Sequence, residues 1–222
     1  MPVAGFVKKP ANTITIQFKH KVGDRELQLL SESYTNPFGE PITITRFKYY
    51  ISHISITGAG QKEKELSPKT FLIDEAVPGS KTLTFTTDIT SPQTLSFVIG
   101  VDSALNVSGV QTGSLDPLNG MFWTWNSGYI FAKLEGKSDS SKALAHSFQY
   151  DVGGFRSNNN AIRKIQLTLP ATSTKYVINA DLLKWFGGKH TIKVVQSPLC
   201  HQPGVLAIKL ADNYANMFSI EK

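Results

Sequence analysis

The sequence predicts an all-β protein, an antiparallel β-sandwich or barrel-like domain with a short C-terminal helix, and three observations carry that expectation. Apolar or β-branched residues alternate with polar ones through most of the chain, which is the period of a half-buried strand. Turn-forming clusters punctuate these runs at Asn36-Pro37-Phe38-Gly39, Pro78-Gly79-Ser80, Gly153-Gly154 and residues 157–160. Only near the C-terminus does the spacing change to three or four, in Leu206, Leu210, Tyr214, Met217 and Phe218 after Pro203-Gly204, which is a helical period.

In chain order, strands are expected over residues 13–18 and 26–29. The long run ITITRFKYYISHISIT at residues 42–57 then reads as one bent strand, or two in line, crossing the middle of a sheet. Further strands are expected at 70–74, 81–86, 94–101, 129–134, 146–152, 164–169 and 175–179. Residues 181–186 read as a short helical turn stopped by Gly187-Gly188. The C-terminal helix is expected to lay one face on a sheet and to carry Asn213 and Asn216 on its less apolar side. Residues 103–120 show neither period, and so long a loop inside a compact domain is usually functional.

The 222 residues fit a single β domain over 1–222, with residues 1–10 as a flexible N-terminal segment. With 41% hydrophobic and 18% charged residues the composition is that of a globular core rather than a disordered chain. The 23 Lys and Arg residues outnumber the 17 Asp and Glu, but they are scattered, and Lys19, Lys21 and Arg25 form the one dense stretch. No recognition helix or aromatic-basic RNA motif accompanies them, so nucleic acid is not expected as a partner. The longest apolar stretches have the length of a strand, far short of the roughly 20 residues of a spanning helix, so no transmembrane segment is expected. A single cysteine, Cys200, excludes an internal disulfide. No GxSxG elbow, P-loop, GxGxxG after a strand or HExxH occurs, and the chain is not expected to be an enzyme. Whether Glu135 and Asp151 stand as a glycosidase pair depends on the fold.

The most informative stretch is GVDSALNVSGVQTGSLDPLNGMFWTWNSGYIFAKLEG at residues 100–136, where the long loop runs into the densest aromatic cluster. Trp123 and Trp125 are two apart, so on a strand both indoles leave the same face. Read alone, they are either a core or edge aromatic pair or part of a site. Together with YDVGGF at residues 150–155, FKYYISHISI at 47–56 and ADNYANMF at 211–218, this stretch resembles the MbnP-like copper-binding protein family. Members of that family are exported proteins found beside methanobactin genes and, in wider variety, envelope proteins of Bacteroidetes. The resemblance implies a β-rich protein of the periplasm or outer cell envelope, where a lipoprotein would also sit. It further implies one Cu(I) held by two imidazoles and a tryptophan oxidised to kynurenine by a partner di-haem peroxidase. Kynurenine exposes an arylamine nitrogen and carbonyl oxygens that an indole lacks, and imidazole and sulfur donors suit monovalent copper. Another transition metal stays open.

On this reading Trp123 and Trp125 are the candidate cofactor residues, and His20, His201, Asp151, His146 and Cys200 the candidate metal ligands. Asp151 stands where related sequences usually carry histidine; its carboxylate is a harder donor that favours Cu(II), Zn(II) or Ca(II). His146, five residues earlier, would face the other side of a regular strand and replaces Asp151 only across a bulge. His20 ends the first expected strand. Cys200 and His201 adjoin in PLCHQPG, and a free cysteine is either a soft ligand or a small buried residue. His53 is expected to be hydrogen-bonded in the core or at an edge, His190 to face solvent, and Met121 and Met217 to pack. Asp102 and the turn at 113–117 are expected to fix the loop that positions the tryptophans. A rival reading is an envelope carbohydrate- or protein-binding module, with Trp123, Trp125 and Tyr129 as a stacking platform; a structural protein with a degenerate site is a third.

Overall fold

The alternating run NTITIQFKHKV forms strand β1 (Asn12–Val22), in which Ile14, Ile16, Phe18, His20 and Val22 are buried and the residues between them are not. The computed structural model describes residues 12–124, 127–171 and 173–221; the N-terminal segment of residues 1–10 and Trp125 lie outside them. After β1 come β2 (Arg25–Glu26), β3 (Tyr34–Thr35), β4 (Pro41–Gly58), β5 (Lys64–Ser67), β6 (Phe71–Asp74), β7 (Thr82–Thr87) and β8 (Pro92–Ile99). Helix α1 (Ser103–Val107) then leads to β9 (Phe122–Thr124), β10 (Gly128–Lys137), β11 (Ser147–Gly153), β12 (Arg163–Thr168) and β13 (Lys175–Asp181). Strand β14 (Leu199–Cys200), helix α2 (Val205–Tyr214) and β15 (Phe218–Ile220) follow.

These strands form two sheets. The smaller runs β15-β13-β1-β2 with β7 also on β1, and the larger runs β12-β8-β4-β10-β11-β14 with β3, β5 and β6 on β4 and β9 on β10. Most pairings are antiparallel, as expected, but β1 with β13 and β11 with β14 are parallel. Parallel neighbours need long connections, so the local alternation of a sequence carries no sign of them.

Strand β4 is the single bent strand that residues 42–57 predict, and its bend coincides with a break in register between Ser52 and Ser55, where His53 has φ 48. Along one edge its residues 43–49 pair with β10 and its residues 51–58 with β8, while β6 and β5 take the opposite edge. The chain between β8 and β10 therefore leaves the sheet where those two strands part. Pleating and register then sort the side chains. Phe47 and Tyr49 of β4, Ala132 and Leu134 of β10, and Tyr150 and Val152 of β11 face inward; Lys48, Lys133, Glu135, Gln149 and Asp151 face outward. In the core Phe18 meets Tyr49, Phe97 and Phe218 edge-on at 6.1, 6.0 and 6.4 Å, the favoured geometry for aromatic pairs.

Two C-terminal expectations are corrected. Helix α2 stops at Tyr214, and Phe218 opens β15 against β13, with the Asp181 N–H donating to the Met217 carbonyl at 2.9 Å. Met217 and Phe218 continue the helical spacing because they reach the same core, not because the helix continues. Asn213 does not sit on a polar side; it is wholly buried. Its Oδ1 accepts from the His190 N–H at 2.8 Å, and its Nδ2 donates to the Trp185 and His190 carbonyls at 3.1 and 2.7 Å. It thereby ties α2 to the 3-10 turn Leu182–Trp185, which realises the helical turn expected over 181–186. Among the described residues no helix is long and apolar enough to cross a membrane.

Asn213→Ala leaves three buried backbone groups without their partner and is expected to lower stability by about 2–3 kcal/mol. Urea unfolding should show this as a lower midpoint with an unchanged slope; a midpoint equal to that of the wild type would show that water replaces the amide at no cost.

Candidate functional site

Residues 103–120 are not without structure: α1 and two 3-10 turns, Gly113–Leu115 and Pro117–Asn119, occupy much of them. This segment lies on the outer face of the larger sheet. The hydroxyl of Tyr50 donates to the Ser114 carbonyl and that of Tyr129 to the Leu115 carbonyl, both at 2.9 Å, and Lys48 Nζ reaches the Asn119 carbonyl at 3.0 Å. The expected turn at 113–117 is present, with Asp116 capping Leu118 N–H at 2.9 Å. The side chain of Asp102, by contrast, turns away to His53, with Oδ1 2.6 Å from Nε2.

The clamp is Asn106, which sequence reasoning missed. It is 2% exposed, its Nδ2 donates to the Val101 and Asp102 carbonyls at 2.8 and 3.0 Å, and its Oδ1 accepts from Tyr129 N–H at 2.9 Å. Gly128 makes room for it: with φ +72, a Cβ there would lie 2.3 Å from Asn106 Oδ1. Asn106 thus joins the loop to the start of β10, at the end of the β9–β10 hairpin where Gly128 pairs with Thr124. That hairpin carries Trp123. The indole lies against the backbone of β11, since a Cβ on Gly153 would come within 2.9 Å of Trp123 Cζ3 and 2.4 Å of the Tyr129 carbonyl oxygen. Tyr129 itself is wholly buried, so it cannot serve as an open stacking ring.

Two residues back along β11, on the same outward side as Gly153, Asp151 is 4% exposed. Its Oδ1 accepts from Lys133 Nζ at 2.5 Å and its Oδ2 from Gln149 Nε2 at 2.8 Å. His201, in the loop after β14, is about half exposed and places Nδ1 3.6 Å from the same Oδ2. Trp123, Asp151 and His201 therefore share the outer face. Lys133 also reaches Glu135 at 3.0 Å, and Glu135 in turn takes Arg46 at 2.6 Å. With an ammonium between them, Glu135 and Asp151 do not face each other as a glycosidase pair. Lys133 went unremarked in the sequence although FAKLEG sets it on the outward side of a strand; only the pairing of Lys133 with Asp151 across β10 and β11 shows its partner.

The other candidates lie elsewhere. His20 is on the inner face, with Nδ1–H donating to Glu75 Oε2 at 2.6 Å, Nε2 accepting from the Tyr49 hydroxyl at 3.1 Å, and the Phe47 ring 4.7 Å away. The larger sheet separates it from His201, so the two do not share an ion. His146 ends the 3-10 turn Leu144–His146 with φ 53, and its Nδ1 lies 3.1 Å from the Ser141 carbonyl oxygen; it is not on a strand at all. No bulge brings it to Asp151. Cys200 is buried on β14 opposite Tyr150, and burial pushes its thiol up to about 11, which keeps it protonated at neutral pH. His53 holds the expected hydrogen-bonded edge role, to Asp102 and, at 3.3 Å, to Glu65. His190 is not simply solvent-facing; it joins Lys189 and Arg163 around Asp212, at 3.0, 2.8 and 2.8 Å. Met121 and Met217 are packed in the core. Among the described residues no three His, Cys, Asp or Glu side chains gather as a metal cluster, so the outer face offers a pair of donors and an indole.

Burial lowers the His20 pKa below its ordinary 6.5, against the opposing pull of Glu75. Burial works to raise the Glu75 carboxyl, but hydrogen bonds from His20 and Lys81 outweigh it and hold the pKa below 4.5. Below about pH 6.5 the unfolded chain binds more protons at His20 than the folded one, so stability falls as pH drops from there, and Glu75 extends the loss below its unfolded value. The urea midpoint is expected to decline as pH falls below about 6.5, and His20→Gln to flatten that decline. Equal slopes in the two proteins would contradict a neutral, buried His20.

A family model described as MbnP matches residues 11–202. No curated protein matches the chain. Among solved structures, MbnP from Methylosinus trichosporium superposes with a TM-score of 0.60 at 13% identity, over 89% of this chain and 83% of that one, a likeness of fold. Since the matched residues include nearly all of both sheets together with Trp123, Asp151 and His201, the chain belongs to the MbnP family.

Proposed function

We propose that this protein is an exported binder of a transition-metal ion, Cu(I) in the first place, and not a catalyst, working in the periplasm or outer cell envelope. The observation that carries the reading is the meeting of His201, Asp151 and the Trp123 hairpin on one outer face. The 3.6 Å between His201 Nδ1 and Asp151 Oδ2 is longer than a hydrogen bond of about 2.7–3.2 Å. Two donors bound to one ion at about 2.0–2.2 Å, at angles between tetrahedral and trigonal, stand roughly 3.3–3.7 Å apart. The spacing therefore suits a donor pair.

His201 would supply the imidazole and Asp151 a single oxygen. Bound copper would add a soft, redox-active centre. A kynurenine formed from Trp123 or Trp125, by the di-haem peroxidase partner that the family resemblance implies, would add a nitrogen or oxygen donor from the hairpin. In that scheme Asn106 and Gly128 hold the hairpin, and Gly153 lets its indole approach β11. The carbohydrate reading finds less support, because Tyr129 is buried and Trp123 is laid on the backbone of Gly153.

Anaerobic titration with Cu(I) against a coloured chelator is expected to give one ion per chain. His201→Ala should abolish that binding, whereas His20→Gln and His146→Ala should keep it. Retention of copper by His201→Ala would overturn the assignment. The intact mass of protein from its native host reports whether a tryptophan has become kynurenine.

A further inference from the structure

We infer that the imidazolium of His53 is a proton-operated clasp, which fastens the start of the loop after β8 to the bend of β4 and lets go as pH rises. None of its members is a candidate ligand of the ion proposed above, so copper binding and the clasp stand or fall separately.

The bend sets this side chain apart. From Tyr49 to Ile56 every residue of β4 is buried except His53, which the break in register and its φ of 48 turn out of the strand. Its Nε2 lies 2.6 Å from Asp102 Oδ1, at the entrance of α1, and its Nδ1 lies 3.3 Å from Glu65 Oε1 on β5. An ionised carboxylate only accepts, and a neutral imidazole carries a single N–H, so both contacts are hydrogen bonds only when the ring is doubly protonated. In the neutral ring one nitrogen turns its lone pair on a carboxylate, and two anions flank the imidazole with no cation between them. The other charged groups lining this cleft, Glu63 and Lys164, stand 3.6 Å apart and offset each other, and Glu63 also accepts from the Ser55 hydroxyl.

What the clasp holds follows along the chain. Gly100 is tied to β4 by its own main chain, its N–H donating to the Tyr50 carbonyl at 3.2 Å and its carbonyl accepting from the Ser52 hydroxyl at 3.1 Å. Two residues further on, the Asp102 carboxylate reaches His53, while the Asp102 carbonyl accepts from the N–H and the Nδ2 of Asn106, both at 3.0 Å. Asn106 in turn accepts from Tyr129 N–H at the start of β10. Releasing Asp102 therefore loosens α1 and, through Asn106, its bond to β10. The hydrogen bond to Asp102 raises the His53 pKa above 6.5; partial burial opposes the rise, and the charges of Asp102 and Glu65 assist it. A raised pKa makes the contribution of the clasp complete below pH 6.5 and lost as pH climbs through the raised value. His20, whose pKa is lowered, is already neutral in that window, so the two histidines act on opposite sides of pH 6.5. All three members of the clasp are about half exposed, so salt screens it.

Proton NMR of the full chain at low ionic strength, between about pH 6 and 9, reads the ring and the amides together. The His53 ring is expected to titrate above 6.5, and Asp102→Asn to bring it back toward that value. Protection of the Asn106 and Tyr129 N–H groups against hydrogen exchange, corrected for the intrinsic rate, should fall severalfold as the ring loses its proton. The Asp181 N–H, bonded within the smaller sheet, should keep its protection throughout. Glutamine can still donate to one carboxylate but carries no proton to lose, so His53→Gln should leave protection at Asn106 and Tyr129 independent of pH. A His53 ring that titrates at or below 6.5 would overturn the clasp. So would protection that stays level in the wild type, or that falls equally in His53→Gln.

Discussion

A pleated strand sends successive side chains to opposite faces, and the register between β4, β10 and β11 uses this to keep two sets of ionisable groups apart. Inward, His20 and Glu75 meet beside Tyr49 and the Phe47 ring; outward, Lys133, Asp151 and His201 meet beside the hairpin. A slip of one residue in β11 would drive the Asp151 carboxylate into the aromatic core and turn Tyr150 and Val152 out. The desolvation of a carboxylate forbids that arrangement, so the composition of the strand enforces its own register. Gly136 adds a steric lock. A Cβ there would lie 2.6 Å from the Phe148 ring and 2.4 Å from the Thr43 carbonyl oxygen, so only glycine lets β4, β10 and β11 close at that level.

The outer face of the larger sheet also carries buried tyrosines, and the segment between β8 and β10 covers them. Because those strands share an edge of β4, their connection starts and ends beside the face it covers. Tyr50 and Tyr129 lie beneath it and use their hydroxyls to bind its carbonyls, so that burying the rings leaves no donor unpaired. Burial shifts the pKa of both upward, which keeps them hydrogen-bond donors. The same packing fixes where β10 begins, and through Asn106 and Gly128 it fixes the hairpin that presents Trp123. Site geometry here follows from loop packing, which is the support that a binding constellation needs.

Much of this architecture is legible in the sequence because it depends on local period. The alternation of β1, the bend in β4, the strands β8, β10 and β11, and the helical spacing of α2 all come from which face each residue buries. What is not legible depends on contacts between distant residues. The parallel pairing of β1 with β13 leaves no local mark, and Met217 and Phe218 keep a helical spacing while belonging to a different element. Asn106 and Asn213 look like ordinary polar residues of a turn and a helix, yet each is buried and saturated with backbone partners. For the site, the indole of Trp123, Asp151 and His201 could be nominated from residue type and family resemblance. Their separation from His20 could not, because which face a histidine occupies depends on the pairing of strands far apart in the chain.

The Lys133–Asp151 pair separates what a buried charge does for stability from what it does for a site. Replacing a buried ion pair by apolar residues of similar volume is often neutral or stabilising, so its presence is weak evidence that the fold needs it. The network around it points the same way. Arg46 and Glu135 continue the row, and such a row is advantageous only while every member is satisfied. Apolar residues at positions 133 and 151 would make a simpler outer face. They would also take away the carboxylate facing His201 and the ammonium paired with it. The row therefore holds the Asp151 carboxylate in a fixed position beside His201, with the aromatic core on the other side of the sheet.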